Sequence, residues 1–325
     1  MELPNALRLA LERELHGNDG PALAREGATL SAHYRHPYAA TGTLTPRAAL
    51  AYATVRMPAT FAAAAAALGA VAAARPDLAP VSLLDAGAGT GAALWAAAIT
   101  WEHLETATLL EQNETLTKLG QRLARSARLP ALQRATWQQT NLLGTWDAPA
   151  HDLVTATYVL GELPEAARPA LVAQLWERAR MALVLVEPGT PHGWAVIRAA
   201  REQLQAVGAQ ILAPCPHQDA CPLPASDWCH FAQRLARSRA QRAAKGAERS
   251  YEDEKYSYVA VGRAAGVPIG ARILRHPVVR PGHIGLTLCT TSGLQQMTIT
   301  RSAGERWRQA RDARWGDALP AEFLD

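Results

Sequence analysis

Residues 83–91 read Leu-Leu-Asp-Ala-Gly-Ala-Gly-Thr-Gly, an apolar strand that ends in Asp85 and runs into Gly87, Gly89 and Gly91. Three alternating residues without β-carbons allow a backbone turn that other residues resist. They also leave room for a nucleotide-like ligand against the start of a helix, where free N–H groups point outward. Residues 92–100 have the pattern of that helix. The spacing is D-x-G-x-G-x-G and not the G-x-G-x-x-G of a dinucleotide-binding turn. A strand, a glycine turn and a helix in this order commit the chain to a βαβ architecture.

The expectation extends downstream. After the first strand at 81–85 and its helix at 90–100, strands are expected at 107–111, 135–139, 153–157 and 182–187. Helices run to about 127 and over 192–207. Short strands at 210–213 and 256–263 complete seven, the last antiparallel. This alternation predicts an α/β fold with a mainly parallel sheet. Residues 1–78 read as an N-terminal helical region, with a long alanine-rich helix over 46–74 broken at Pro58. Residues 31–46 read as an irregular aromatic and basic loop packed over the domain. Residues 79–263 read as the Rossmann-like domain, with a cysteine-rich insertion at 214–250. Residues 264–325 read as a small basic β-rich domain with strands at 272–280, 283–290 and 295–301.

Position decides which polar residues are candidates. Glu111 ends the second strand about 20 residues beyond the glycines, where a carboxylate accepts hydrogen bonds from ribose hydroxyls. Asn141 and Leu142 follow the third strand at the expected adenine edge. Tyr158 opens the segment Tyr-Val-Leu-Gly-Glu-Leu after the fourth strand, at the open carboxyl end of the sheet.

The chain has 325 residues, 49% of them apolar, with a formal net charge of +4. A sizeable core is expected, and global disorder is excluded. The positive charge is nearly all arginine, since Lys118, Lys245 and Lys255 are the only lysines. The opening residues lack a basic cap followed by an apolar run. The alanine-rich segment 58–74 falls short of the ~20 strongly apolar residues of a membrane span. A cytoplasmic protein without a membrane or DNA partner is expected.

Cys215, Cys221, Cys229 and Cys289 are the only cysteines, three of them in a proline-rich stretch without regular structure. An ordered loop of that length needs a constraint, and four thiolates around a metal centre supply one. Zinc sites favour C-x2-C or C-x4-C pairs. The wide intervals here suit an iron–sulfur cluster, while His217 and His230 keep zinc open. Residues 231–249 then carry Arg234, Arg237, Arg239, Arg242 and Lys245, read as a basic helix suited to RNA phosphates. The acidic run of Glu252, Asp253 and Glu254 reads as its counter-charge.

The glycine loop resembles the S-adenosylmethionine loop of class I methyltransferases. More widely, the chain resembles the bacterial branch of the small-ribosomal-subunit assembly methyltransferase family, which contains mitochondrial methyltransferase-like protein 17. The resemblance lies in residues 56–60, 83–91 with Trp95, 158–163, 186–190, 214–231, parts of 233–242, 251–258 and 313–317. It implies the seven-stranded class I S-adenosylmethionine-dependent methyltransferase fold, S-adenosylmethionine binding, and a role in maturing or binding the small ribosomal subunit or its precursor through 16S rRNA. It also implies a 4Fe-4S cluster on Cys215, Cys221, Cys229 and Cys289.

The sequence leaves the activity open. After the fourth strand, an amino-directed base methyltransferase would show Asn/Asp-Pro-Pro-Tyr/Phe, but this chain has Thr-Tyr-Val-Leu. A carbon-5 pyrimidine methyltransferase needs a cysteine nucleophile, and the cysteines here are better used as ligands. Tyr158 and Glu162 remain candidates for positioning only. The reading favours an rRNA-binding assembly factor over an active rRNA methyltransferase. A small-molecule methyltransferase with structural zinc is a weaker third.

Overall fold

The computed structural model describes residues 1–18, 20–33 and 44–324. Most of the expected aromatic loop, residues 34–43, lies outside them. Helices α1 (Asn5–Leu15), α2 (Gly20–His33), α3 (Pro46–Val55) and α4 (Met57–Ala74) open the chain. The alanine-rich segment breaks at Arg56, two residues before the expected site. Pro58 sits in the first turn of α4, where a missing N–H costs no intrahelical bond. Met57–Ala74 is long and apolar enough, by length and composition, to cross a bilayer. It is nevertheless a core element: Met57, Ala59, Ala63, Leu68 and Val71 are fully buried.

The alternating region follows as β1 (Ser82–Ala86), α5 (Ala92–Thr100), β2 (Thr106–Glu111), α6 (Glu114–Ala124), α7 (Pro130–Gln133), β3 (Thr136–Gln139) and β4 (His151–Thr157). It continues with α8 (Arg168–Arg178), β5 (Ala179–Pro188), α9 (Pro191–Ala206) and β6 (Gln210–Ala213). Beyond the cysteine-rich loop come β7 (Phe231–Ala236), α10 (Arg239–Lys245) and β8 (Tyr251–Gly262). The sheet order is β3-β2-β1-β4-β5-β8-β6, with β7 paired to β8. Strands β1 to β5 are parallel, and β8 runs antiparallel between β5 and β6. This is the class I methyltransferase order, with one added strand. Every residue of β4 is buried, as expected for a strand covered on both faces. The chain order reverses beside β1, which leaves a crevice at the carboxyl ends of β1 and β4.

Residues 231–249 do not form the expected basic helix. The first six are β7, antiparallel to β8, with Arg234 opposite Asp253 and Leu235 opposite Glu252. Phe231 and Leu235 point into the core, and cross-strand charge pairing holds the remainder. Only Arg239–Lys245 is helical, capped by the Ser238 hydroxyl accepting from Gln241 N–H at 3.1 Å.

The C-terminal part holds β9 (Ala271–Ile273), β10 (Val278–Arg280), β11 (His283–Thr290), β12 (Gly293–Thr300), α11 (Glu305–Asp312) and β13 (Ala318–Leu319). These strands form a separate antiparallel sheet over its own small core of Ile273, Ile284, Leu286, Leu288, Ile299, Leu319 and Phe323. The expected strand at 272–280 is two short ones. Helix α11, unforeseen in the sequence, covers the small sheet through buried Ala310. Leu274 and Cys289 face the other way and join the core of the main domain.

Candidate cofactor cleft and thiol cavity

The glycine turn closes as its residues require. Gly87, Gly89 and Gly91 have φ of 68°, 56° and 85°, a region costly for any residue with a β-carbon. The N–H groups of Gly87 and Ala88 donate to Leu110 O at 2.8 and 3.0 Å, which ties the turn to the end of β2. A β-carbon on Gly87 would stand 2.4 Å from Val159 Cγ2, in the segment after β4. Gly87→Ala is therefore expected to cost about 1–3 kcal/mol. In urea unfolding, adding Val159→Ala should recover the steric part of that loss but not the backbone part.

A cleft of about 280 Å³, mouth included, is lined by Asp85, Gly87, Ala88, Thr90, Ala92, Ala93 and Thr157, and by Tyr52, Met57 and Thr60 from α3 and α4. Asp85 lies at its floor, 1% exposed. Its Oδ1 accepts from the Thr155 hydroxyl at 2.7 Å, while Oδ2 is buried without a partner, as is Thr90 Oγ1. Burial, reinforced by the neighbouring charge of Glu111, raises the Asp85 carboxyl to about 7. Orphaned oxygens around a floor carboxyl suit an ammonium and carboxylate head, such as the methionine end of S-adenosylmethionine.

The other expected contacts fall into place unevenly. Glu111 stands at the end of β2, with Oε2 accepting from Gly89 N–H at 2.8 Å and Oε1 from Asn113 N–H at 2.7 Å. It thus braces the glycine turn and, like Gly89, Gly91 and Tyr158, is not among the residues that line the cleft. Asn141 is exposed and accepts from Leu143 N–H at 3.0 Å; Leu142 is half-buried, and neither lines the cleft. Trp137 of β3 instead packs its indole against Gly91 and Gly120.

Tyr158 is the one non-glycine residue with positive φ, 59°, among the described residues. Strain of this kind persists only where its surroundings enforce it. Here its hydroxyl donates to Glu254 Oε1 of β8 at 2.7 Å. Burial holds the phenol well above its ordinary range. The next residue donates its N–H to Glu187 Oε1 at 3.1 Å. Glu187 is 2% exposed, and burial pushes its carboxyl up to about 8. Glu162 is exposed. The segment after β4 is therefore anchored at both Tyr158 and Val159.

Sequence reasoning missed Tyr52, Met57, Thr60, Thr90 and Thr157 as lining residues. Thr90 lies inside the glycine turn and was legible there. The three from α3 and α4 reach the cleft only through tertiary packing.

A second cavity, about 320 Å³ with its mouth, is lined by all four cysteines. Cys215 and Cys221 come from the proline-rich loop, Cys229 from its end just before β7, and Cys289 from β11. Trp194, Leu223 and Leu274 complete an apolar wall. The thiols surround a space and do not converge on a point: among the described residues, no three Cys, His, Asp or Glu side chains stand at single-ion spacing. His217 Nε2 lies 3.5 Å from Cys289 Sγ, and its Nδ1 is buried without a partner. Burial pushes the thiols of Cys215, Cys229 and Cys289 up, the last to about 12. His230 stacks on Trp228, meets Trp315 edge to face, and does not line the cavity.

The basic segment beside this cavity is partly neutralised. Arg234 pairs with Asp253 at 2.7 Å and lies over the Tyr251 ring; Arg237 and Lys245 both pair with Glu252. The acidic run is thus a counter-charge, as the sequence suggests, but it consumes three of the five expected RNA contacts. Arg239 is exposed and Arg242 half-buried, and neither pairs with a carboxylate among the described residues.

The family described as mitochondrial small ribosomal subunit Rsm22 matches residues 46–320. The chain belongs to the Rsm22 family. The human mitochondrial ribosome assembly protein METTL17 is 29% identical over 292 residues, covering 83% of this chain and 62% of the human one. The mitochondrial Rsm22-cox11 tandem proteins 1 and 2 of Schizosaccharomyces pombe are 28% identical over 184 residues, 43% of this chain and 24% of theirs. This Rsm22 chain therefore spans less than two thirds of the length of these relatives. Among solved structures, magnesium protoporphyrin IX methyltransferase of Synechocystis PCC 6803 with bound SAH aligns at a TM-score of 0.42, with 15% identity, over 76% of this chain and 100% of that one. An O-methyltransferase family protein from Burkholderia thailandensis aligns at 0.43, with 14% identity, over 73% and 63%.

Proposed function

We propose that this Rsm22-family chain is an assembly factor that binds the small ribosomal subunit or its precursor through rRNA. In this reading it holds S-adenosylmethionine in the β1–β4 cleft and a 4Fe-4S cluster on Cys215, Cys221, Cys229 and Cys289. The name of its human relative, a ribosome assembly protein, supports the partner class. The cleft supports the cofactor: Asp85 Oδ2 and Thr90 Oγ1 await partners on its wall. Four thiols lining one cavity support a shared thiolate centre, and their wide intervals in the sequence favour a cluster over a zinc ion. Such a cluster would supply cross-linking between the main sheet and the small one.

The observation that carries a scaffold over an enzyme is the segment after β4. In an amino-directed base methyltransferase that stretch grips the target amine. Here the Tyr158 hydroxyl is spent on Glu254, and the backbone of Val159 on Glu187. Fold alone does not supply activity.

The test pairs two measurements. The protein is expected to co-sediment with immature small subunits, and not to transfer tritiated methyl from S-adenosylmethionine to immature 16S rRNA. Labelling that is present in the natural chain and lost in Asp85→Ala would overturn the scaffold reading in favour of an rRNA methyltransferase. Absence of co-sedimentation would overturn the ribosomal one.

A further inference from the structure

Two arginines are buried without an acid to balance them, Arg272 on the wall of the thiol cavity and Arg201 under the cysteine-rich loop, bonded to Asp219 O. Arg201 of α9 is 1% exposed, and Arg272 of β9 is 8% exposed. Arg201 donates to Gln205 Oε1 at 2.6 Å and to Asp219 O, and its Nε is buried without a partner. Arg272 donates to Pro214 O at 2.8 Å and to Gly316 O at 2.9 Å. All these acceptors are neutral, and no carboxylate pairs with either guanidinium among the described residues. Arg275, by contrast, has Asp227.

Burying a guanidinium without a counter-charge is expensive. Arg272 lines the same cavity as the four cysteines and His217, and Arg201 stands beside Cys215 and His217. Tyr256 and Tyr258 lie close to Arg272. Both phenols are buried and stay protonated at neutral pH, so neither offers an anion.

The geometry assigns Arg201 and Arg272 to charge compensation of the four-thiolate centre, one from the main domain and one from the small sheet. The assignment rests on the reading that Cys215, Cys221, Cys229 and Cys289 hold a metal centre. Free buried thiols are neutral, while metal-bound ones are thiolates. Four thiolates around a core of charge two leave a net charge of minus two, and the two guanidinium groups match it. The arginines are thus positioning residues, and their balance exists only when the centre is loaded. In the metal-free chain the same two charges are a liability.

The experiment compares the natural chain with Arg201→Met, Arg272→Met, Arg201→Lys and Arg272→Lys, all purified anaerobically with metal bound. Release of metal to a chelator is expected to be about tenfold or more faster in the methionine variants. The lysine variants, which keep the charge, should stay near the natural rate. Thermal stability supplies a second readout with a change of sign. The methionine variants should melt below the natural chain when loaded and above it when stripped of metal. Natural release rates in the methionine variants, equal losses with lysine and methionine, or a lower melting temperature of the stripped methionine variants would each overturn the assignment. Metal identity separates this outcome from the cluster reading. Zinc in the natural chain would overturn iron–sulfur and leave the arginines to be judged on release rate. A natural chain that binds no metal would overturn both.

Discussion

Asp85→Asn is expected to stabilise the ligand-free chain at pH 8 and to weaken its binding of S-adenosylmethionine. The Asp85 carboxyl is fully buried, one oxygen is unpartnered, and burial raises it to about 7. A carboxyl whose folded value exceeds its unfolded one stabilises the fold below the unfolded value, near 4. That contribution is lost as the pH rises through about 7, because the folded state must then ionise at a cost. Asparagine keeps the acceptor for Thr155 and never ionises. The variant should gain on the order of 2–4 kcal/mol in urea unfolding at pH 8, and almost nothing at pH 4. Glu187 titrates in the same window, at about 8. It is common to both proteins, so the difference between the two curves isolates Asp85. Titration calorimetry should show binding weakened about 30-fold or more, because an ammonium loses its buried anionic partner. In the natural chain, affinity should fall by up to about tenfold per pH unit below 7, as ligand and proton compete for one oxygen. Undiminished binding by the asparagine variant would show that the cleft orients its ligand through other groups.

What was legible in the sequence follows from how local each signal is. The glycine turn, the flanking strands and the order of the main sheet are written in short windows, such as the apolar runs of β2 and of residues 181–186 in β5, which is buried on both faces over 182–187. The place of Glu111 at the end of β2 was legible because its distance from the turn is fixed by one helix and one strand. The basic arm was misread for the opposite reason. Arg234 and Arg237 are spaced for a helix face, yet Asp253 and Glu252 on β8 draw that stretch into a hairpin. That force acts from 15 or more residues away and has no local signature. Tyr52 and Thr60 reach the cleft for a similar reason, through the packing of α3 and α4 over the glycine turn. Arg201 carries no sequence cue at all, since it lies in an ordinary amphipathic helix. Only its burial beside Cys215 distinguishes it from the surface arginines around it.

Cys289→Ser should have the largest effect on stability of any single replacement near the thiol cavity. Cys289 is the residue of β11 that leaves the small core and enters the main one, 7% exposed and facing the three cysteines of the loop. Serine fills nearly the same volume but is a poor ligand for a soft metal centre. A structural centre that closes only in the folded chain contributes its binding energy to folding. Under the proposed four-cysteine centre, its loss should lower the melting temperature by about 10 °C or more, and bound metal should fall in parallel. The decisive comparison is with the natural chain stripped of metal. If Cys289 acts through the centre, the variant and the stripped protein melt together, and stripping the variant costs nothing more. If Cys289 acts only by packing, the two losses add. Limited proteolysis gives the same contrast in space. Release of the centre should expose the connection at residues 264–270 to cleavage while the main sheet stays protected, because its parallel strands carry their own core.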